Sequence, residues 1–252
     1  RNYLYDSTIK NIGREWGETQ TIAGPVIVVP YTEEYYEREY TVDKQGKQIE
    51  VIKSKKRKNS LVVLPEKLDV NVDLKEEVRK RGIYKSMVYT GELNMKGNFS
   101  KVLSNIPENS VIEYNEISVS LGITDIKALL KIDKFNFNGK EIELESGTGL
   151  GKPFQISKGI SGKLGTKNEQ LEEIPFNIEL VFRGSEGITL LPMGKDNSFF
   201  IKSAWENPSF YGMLPRERVI NENGFTANWN ISHLTRNYKQ YFFIGDGNKI
   251  DL

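Results

Sequence analysis

Hydrophobic and polar positions change their period once along this chain, and the change falls near residue 24. Up to Trp16, the apolar residues Leu4 or Tyr5, Ile9, Ile12 and Trp16 recur at helical spacing. This pattern predicts one amphipathic helix over residues 1–17, with Gly17 as its left-handed cap and Gly24-Pro25 blocking any continuation. From Val26 the period becomes two. Ile27, Val29 and Tyr31 alternate with Val26, Val28 and Pro30, as in a strand covered on both faces. Later runs alternate apolar with polar: Val70, Val72 and Leu74; Phe176, Ile178, Leu180 and Phe182; Phe225, Ala227, Trp229 and Ile231. Each predicts a strand with one core face and one wet face, and Trp229 reads as core.

Turn signals separate these runs at Gln45-Gly46, Asn138-Gly139, Asn223-Gly224 and Asp246-Gly247. The second and third are the strongest, because a type I′ hairpin needs positive φ at both central residues. Asp125–Lys131 has the pattern of a short helix on a connection. Helical crossovers between strands are largely missing, which disfavours a parallel α/β sheet. The expectation is therefore a mainly β chain: an antiparallel β-sandwich or two packed β-layers over residues 18–252, preceded by one amphipathic helix. Any internal seam would fall in the Gly-rich stretch 146–165.

Composition narrows the function classes more than it selects one. The 252 residues carry 38% hydrophobic and 27% charged side chains, the balance of a folded chain. Lys plus Arg is 35 against 34 for Asp plus Glu, so no long-range field draws in nucleic acid, and no nucleic-acid partner is expected. With Cys at 0, thiolate nucleophiles, disulfides and most structural zinc sites are excluded. The longest uncharged stretch, Thr19–Tyr31, is too short and too interrupted by Gly24, Pro25 and Pro30 to span a bilayer. The chain opens at Arg1 without a Met, which leads us to expect that targeting information precedes it.

Candidate chemistry thins out on inspection. Gly147-Thr148-Gly149-Leu150-Gly151-Lys152 has three residues between Gly147 and Gly151 where a phosphate loop needs four, and Pro153 replaces the hydroxyl; it reads as a loop. Lys53–Lys58 is a basic run, expected at a charged hairpin tip with the acidic run Glu33–Glu39 nearby in compensation. His233 is the only histidine and has no partner set by spacing, so no catalytic residue, cofactor or metal is assigned. The aromatic residues are more telling. Around Pro208 stand Trp205, Phe210 and Tyr211, a candidate binding patch of a kind that suits sugar rings, lipid headgroups or protein partners.

Three blocks carry a family resemblance: EWGETQTIAGPVIVVPY from Glu15, VVLPEKLDVNVDLKEEVRKRGIYKSMVYTGELNMKGNF from Val62, and Gly184–Asn237 with its WENPSFYGMLP core. Together they resemble the CreD-like inner-membrane proteins, also called cell envelope integrity proteins. Trp16, Gly17, Gln20, Gly24, Pro25, Arg81, Gly82, Tyr84 and Trp229 stand at the signature positions. The resemblance implies a transmembrane helix before Arg1, a domain on the periplasmic or extracytoplasmic side, and further transmembrane helices after Leu252. It implies a role in envelope integrity or envelope stress and supplies no catalytic residues. The expected function is non-enzymatic binding of an envelope component or a membrane or periplasmic protein. Two alternatives stay open: a glycan-acting envelope hydrolase, and an accessory exterior module of a transporter or sensor.

Overall fold

Period-two alternation is realised as strands wherever the sequence shows it. The computed structural model describes residues 16–42, 44–81, 84–150, 157–165 and 171–245. The expected helix over 1–17 lies outside them except for its last two residues. In chain order the strands are β1 (Gln20–Val42), β2 (Gln48–Val63), β3 (Lys67–Arg81), β4 (Tyr84–Ser100), β5 (Ser110–Ile112), β6 (Ser118–Ile123), β7 (Leu129–Phe137) and β8 (Lys140–Glu141). They continue with β9 (Glu145–Ser146), β10 (Gly159–Lys163), β11 (Glu173–Ser185), β12 (Ile188–Leu190), β13 (Asp196–Ser203), β14 (Glu217–Asn221), β15 (Gly224–Ser232) and β16 (Tyr241–Gly245).

They form two sheets. One runs β16-β2-β1-β6-β10-β9, with β12 and β5 also paired to β1; the other runs β14-β15-β13-β3-β4-β11-β7-β8. Pairing is antiparallel except at β1–β12 and β13–β3. The expected two-layer β architecture is what the chain adopts. The stretch 146–165 supplies part of β9 and all of β10 at the edge of the first sheet.

The core lies between the layers. Ile27, Val29, Leu61, Val119 and Leu121 come from the first sheet; Val70, Val72, Leu93, Met95 and Phe182 come from the second, all of them buried. Three aromatic rings of the second sheet lie against glycines directly across the ladder: Phe176 opposite Gly97, Phe182 opposite Gly91, and Tyr89 opposite Gly184. A Cβ on Gly91 would sit 2.6 Å from the Phe182 ring, and one on Gly184 would sit 2.3 Å from the Tyr89 hydroxyl oxygen. These glycines are therefore sites where a ring takes the place of the missing side chain.

Beyond Glu33 and Asn59, β1 and β2 have no other strand beside them among the described residues. They continue as a two-stranded arm to the Val42–Gln48 pair, about 30 Å at the usual rise of a strand. The basic run therefore lies along the arm, not at its tip. Local sequence does not show which residues face one another across a ladder. Lys53 and Lys55 pair with Glu39, Lys55 also pairs with Glu37, and Arg57 pairs with Glu33 at 3.1 Å. These contacts hold the Glu39 carboxyl well below its usual range, at about 2, through hydrogen bonds from Lys53 and Lys55. The opposite face of the arm exposes Tyr36, Tyr40 and Ile52.

Two local expectations need correction. Asp125–Lys131 forms only one 3₁₀ turn, Ile126–Ala128. The Asp125 carboxylate accepts from Lys127 N–H at its start, and β7 begins at once. Gly24-Pro25 lies inside β1, where the ladder to β6 shifts register between Ala23 and Val26; the peptide bond is cis. It punctuates a strand and not a helix.

Candidate binding cleft

The inner face of the second sheet extends past the layer that covers it. At that end the inward positions of β3, β13 and β15 lie side by side: Leu74 opposite Ser203, Ser203 opposite Phe225, and Phe199 opposite Trp229. These positions form the floor of a cleft of about 1040 Å³, near the upper end of the range for small-molecule pockets. Ile188 and Leu190 of β12 and the turn before them form one wall.

The roof is the loop between β13 and β14. Trp205 opens it: its backbone N–H donates to the Glu76 carboxylate at 3.0 Å and to Ser203 Oγ at 3.2 Å, and its indole N–H donates to Asn207 O at 2.6 Å. Phe210 turns inward, edge-on to Phe225 with ring centroids 5.7 Å apart and to Trp229 at 5.8 Å. Trp229 in turn donates its indole N–H to Met213 O at 2.9 Å, which ties the far end of the loop to the floor. Tyr211 stands at the rim and is 89% exposed. Such edge-to-face contacts contribute about 0.5–1.5 kcal/mol each beyond area burial, enough to hold a loop that has little other packing.

The opposite rim is a tight turn between β11 and β12. Glu186 adopts φ of +66°, unusual for a residue with a side chain. Gly187 holds it there: its carbonyl accepts from the Tyr89 hydroxyl at 2.7 Å and from Gln20 N–H at 3.2 Å. Burial pushes the Tyr89 phenol well above its ordinary value, with the hydroxyl kept as a donor.

All four residues of the expected patch, Trp205, Pro208, Phe210 and Tyr211, line this cleft. Trp229 lines it too and is only half-buried, which corrects its reading as core. Its phase along β15 is inward as expected, but at that position inward means into the cleft. Glu76 was not singled out by sequence, although its phase marks it: it continues the inward series Leu68, Val70, Val72, Leu74 with a carboxylate. Glu186 has no comparable sequence signal.

Three further signature positions, Trp16, Gly17 and Gln20, lie where β1 begins and meets the second sheet. The Trp16 indole donates to Tyr89 O at 3.2 Å and lies under the Arg79 guanidinium at 4.1 Å. Gly17 has φ of +133°, and a Cβ there would be 3.1 Å from both Ala128 Cβ and Arg183 O, so close packing requires the glycine. Gln20 is fully buried; its side chain donates to Glu18 O and accepts from Asp125 N–H. Arg81 pairs with Tyr84 across the β3–β4 turn, while Gly82 lies outside the described residues.

The remaining motifs are accounted for locally. Thr148, inside the glycine-rich loop, is buried and accepts from Ser120 Oγ through its carbonyl. His233 starts a 3₁₀ turn, and its backbone N–H donates to Lys195 O at 2.7 Å; it is not among the cleft's lining. Among the described residues no group of His, Asp and Glu is arranged to hold a metal, and no helix is long and apolar enough to cross a membrane.

Comparison with known proteins now decides the family. The family described as inner membrane protein CreD matches residues 1–251. The chain belongs to the CreD family of inner membrane proteins. The inner membrane protein CreD of Escherichia coli (strain K12) is 29% identical over 232 residues, covering 90% of this chain and 48% of that protein. The chain thus spans about half the length of the CreD relative it matches. No solved structure matches it.

Proposed function

We propose that this chain is the extracytoplasmic, ligand-binding part of a CreD-family inner-membrane protein that serves cell-envelope integrity, and that it acts by binding and not by catalysis. The observation that supports this reading is the cleft, an apolar cavity with an aromatic roof and a few placed polar groups. Its roof is fastened through Phe210, Trp229 and Glu76, so much of the site is built before a ligand arrives. The bound molecule is an envelope component or a membrane or periplasmic protein segment presented to the exposed rim at Tyr211.

A second reading has one observation in its favour. Glu76 and Glu186 both line the cleft, and paired carboxylates are the machinery of glycan hydrolysis. Glu76, however, is engaged with the Trp205 backbone, a positioning role that binding alone explains. Incubation with envelope glycan separates the two readings. The binding reading predicts no hydrolysis above background for the parent chain. Turnover that Glu76→Gln abolishes would establish the hydrolase instead.

A further inference from the structure

We infer that the cleft selects an amphiphile with an apolar tail and a cationic ammonium end, the charge being chosen by Glu76 and Glu186. This deepens the binding reading above and rests on the cleft being the functional site. Leu74, Phe199, Ile201 and Ile231 line the cavity with apolar surface. An alkyl chain lying there gains about 0.8 kcal/mol for each methylene taken out of water.

Charge is distributed unevenly around that space. The described residues of the lining include two carboxylates, Glu76 and Glu186, and no Lys, Arg or His. An anionic head would therefore meet two like charges, with no Lys, Arg or His among the described lining residues. The cation Arg218 belongs to the edge strand β14; its guanidinium is 5.9 Å from the Phe210 ring centroid, and it is not part of the lining.

Aromatic faces sharpen the preference. Trp205 and Glu76 both line the cleft, and the Glu76 carboxylate accepts from the Trp205 backbone N–H. A cavity lined by both aromatic rings and carboxylates suits an ammonium ion, which is attracted by ring quadrupoles and by negative charge. Glu186 is kept in its left-handed conformation by the two hydrogen bonds to Gly187 O, and such over-determined backbone is characteristic of ligand clamps.

The test is calorimetric titration of the 252-residue chain with dodecyltrimethylammonium, dodecanoate and uncharged dodecyl maltoside, each below its micelle concentration. The ammonium amphiphile should bind about tenfold or more tighter than dodecanoate, and Glu76→Gln/Glu186→Gln should bring the three within about threefold. Added salt supplies the same readout without substitution: 0.5 M NaCl, a concentration chosen for the assay, should erode the preference for the ammonium over the maltoside. Equal affinity for the charged and uncharged amphiphiles, with Phe210→Ala weakening both, would overturn charge selection and leave the cleft as the site. Absence of binding, or binding insensitive to Phe210→Ala, would overturn both.

Discussion

Replacing Tyr89 by Phe removes one oxygen from the wall that joins the cleft to the core, and its effect can be worked out at two pH values. At neutral pH the variant loses the 2.7 Å hydrogen bond to Gly187 O and nothing else, because the ring stays edge-on to Phe182 at 6.1 Å. Gly187 O keeps its bond from Gln20 N–H, so no carbonyl is orphaned, and the expected destabilisation is about 1 kcal/mol. At alkaline pH a second effect opposes the first. Burial raises the Tyr89 phenol above its ordinary value of 10.0, so the unfolded chain ionises this group first. A group raised in the folded state contributes stability below its unfolded value and loses that contribution as pH climbs past it. At pH 11 the unfolded phenol has gained about 1.4 kcal/mol by ionising, a penalty that Tyr89→Phe escapes. Urea unfolding should therefore show the parent ahead by about 1 kcal/mol at pH 7 and the two nearly level at pH 11. Other raised tyrosines, Tyr31 and Tyr238, contribute equally to both proteins and cancel. A gap that stays constant from pH 7 to pH 11 would refute the placement of this hydroxyl.

Other perturbations test separate parts of the fold. Gly91→Ala puts a Cβ 2.6 Å from the fully buried Phe182 ring and should destabilise by about 1–3 kcal/mol in denaturant melts, with partial recovery when Phe182→Leu is added. The Arg236 guanidinium donates to Pro192 O, Met193 O and Gly194 O at 2.9, 2.8 and 3.0 Å. In Arg236→Met the stem stays, Pro192 O keeps its bond from the Tyr238 hydroxyl and Gly194 O its bond from the Asn197 amide. The loss of the donor to Met193 O should lower stability by about 1–3 kcal/mol in the same assay. In the arm, an NMR titration of Glu39 should give a midpoint near 2, with its ion pairs intact above the ordinary glutamate range and lost as pH falls through that midpoint. Lys53→Met/Lys55→Met should return the midpoint to the ordinary range; an unchanged midpoint would contradict the pairing.

Much of the architecture was written in the period of the hydrophobic residues, and the exceptions share a cause. Asn138-Gly139 forms the expected hairpin turn, with φ of +50° and +77°, because the requirement is local. Asn223-Gly224 is displaced by one residue: Asn221 pairs with Gly224, and Glu222-Asn223 make the turn. Gly224 is there for a contact far away in sequence, since a Cβ would stand 2.1 Å from Ser203 O. The basic run lies along the arm and not at a hairpin tip because the length of the β1–β2 ladder is not a local property, while its compensation by Glu33–Glu39 is as expected. Trp229 shows the limit most clearly. Alternation fixes the face on which a side chain lies, but not whether a second layer covers that face. The patch at Trp205, Pro208, Phe210 and Tyr211 was visible as an aromatic cluster in a turn-rich segment. Its floor was not, because β3, β13 and β15 are brought together only by long-range pairing.

The cleft carries the proposed function, and crosslinking in cells tests its role most directly. A photoreactive amino acid at Tyr211 of the full-length membrane protein should capture an envelope molecule identifiable by mass spectrometry. Capture should fall about tenfold in Phe210→Ala, which removes the roof's contacts with Phe225 and Trp229. Capture that Phe210→Ala leaves unchanged, or crosslinks confined to the protein itself, would contradict a ligand-binding role for the cleft.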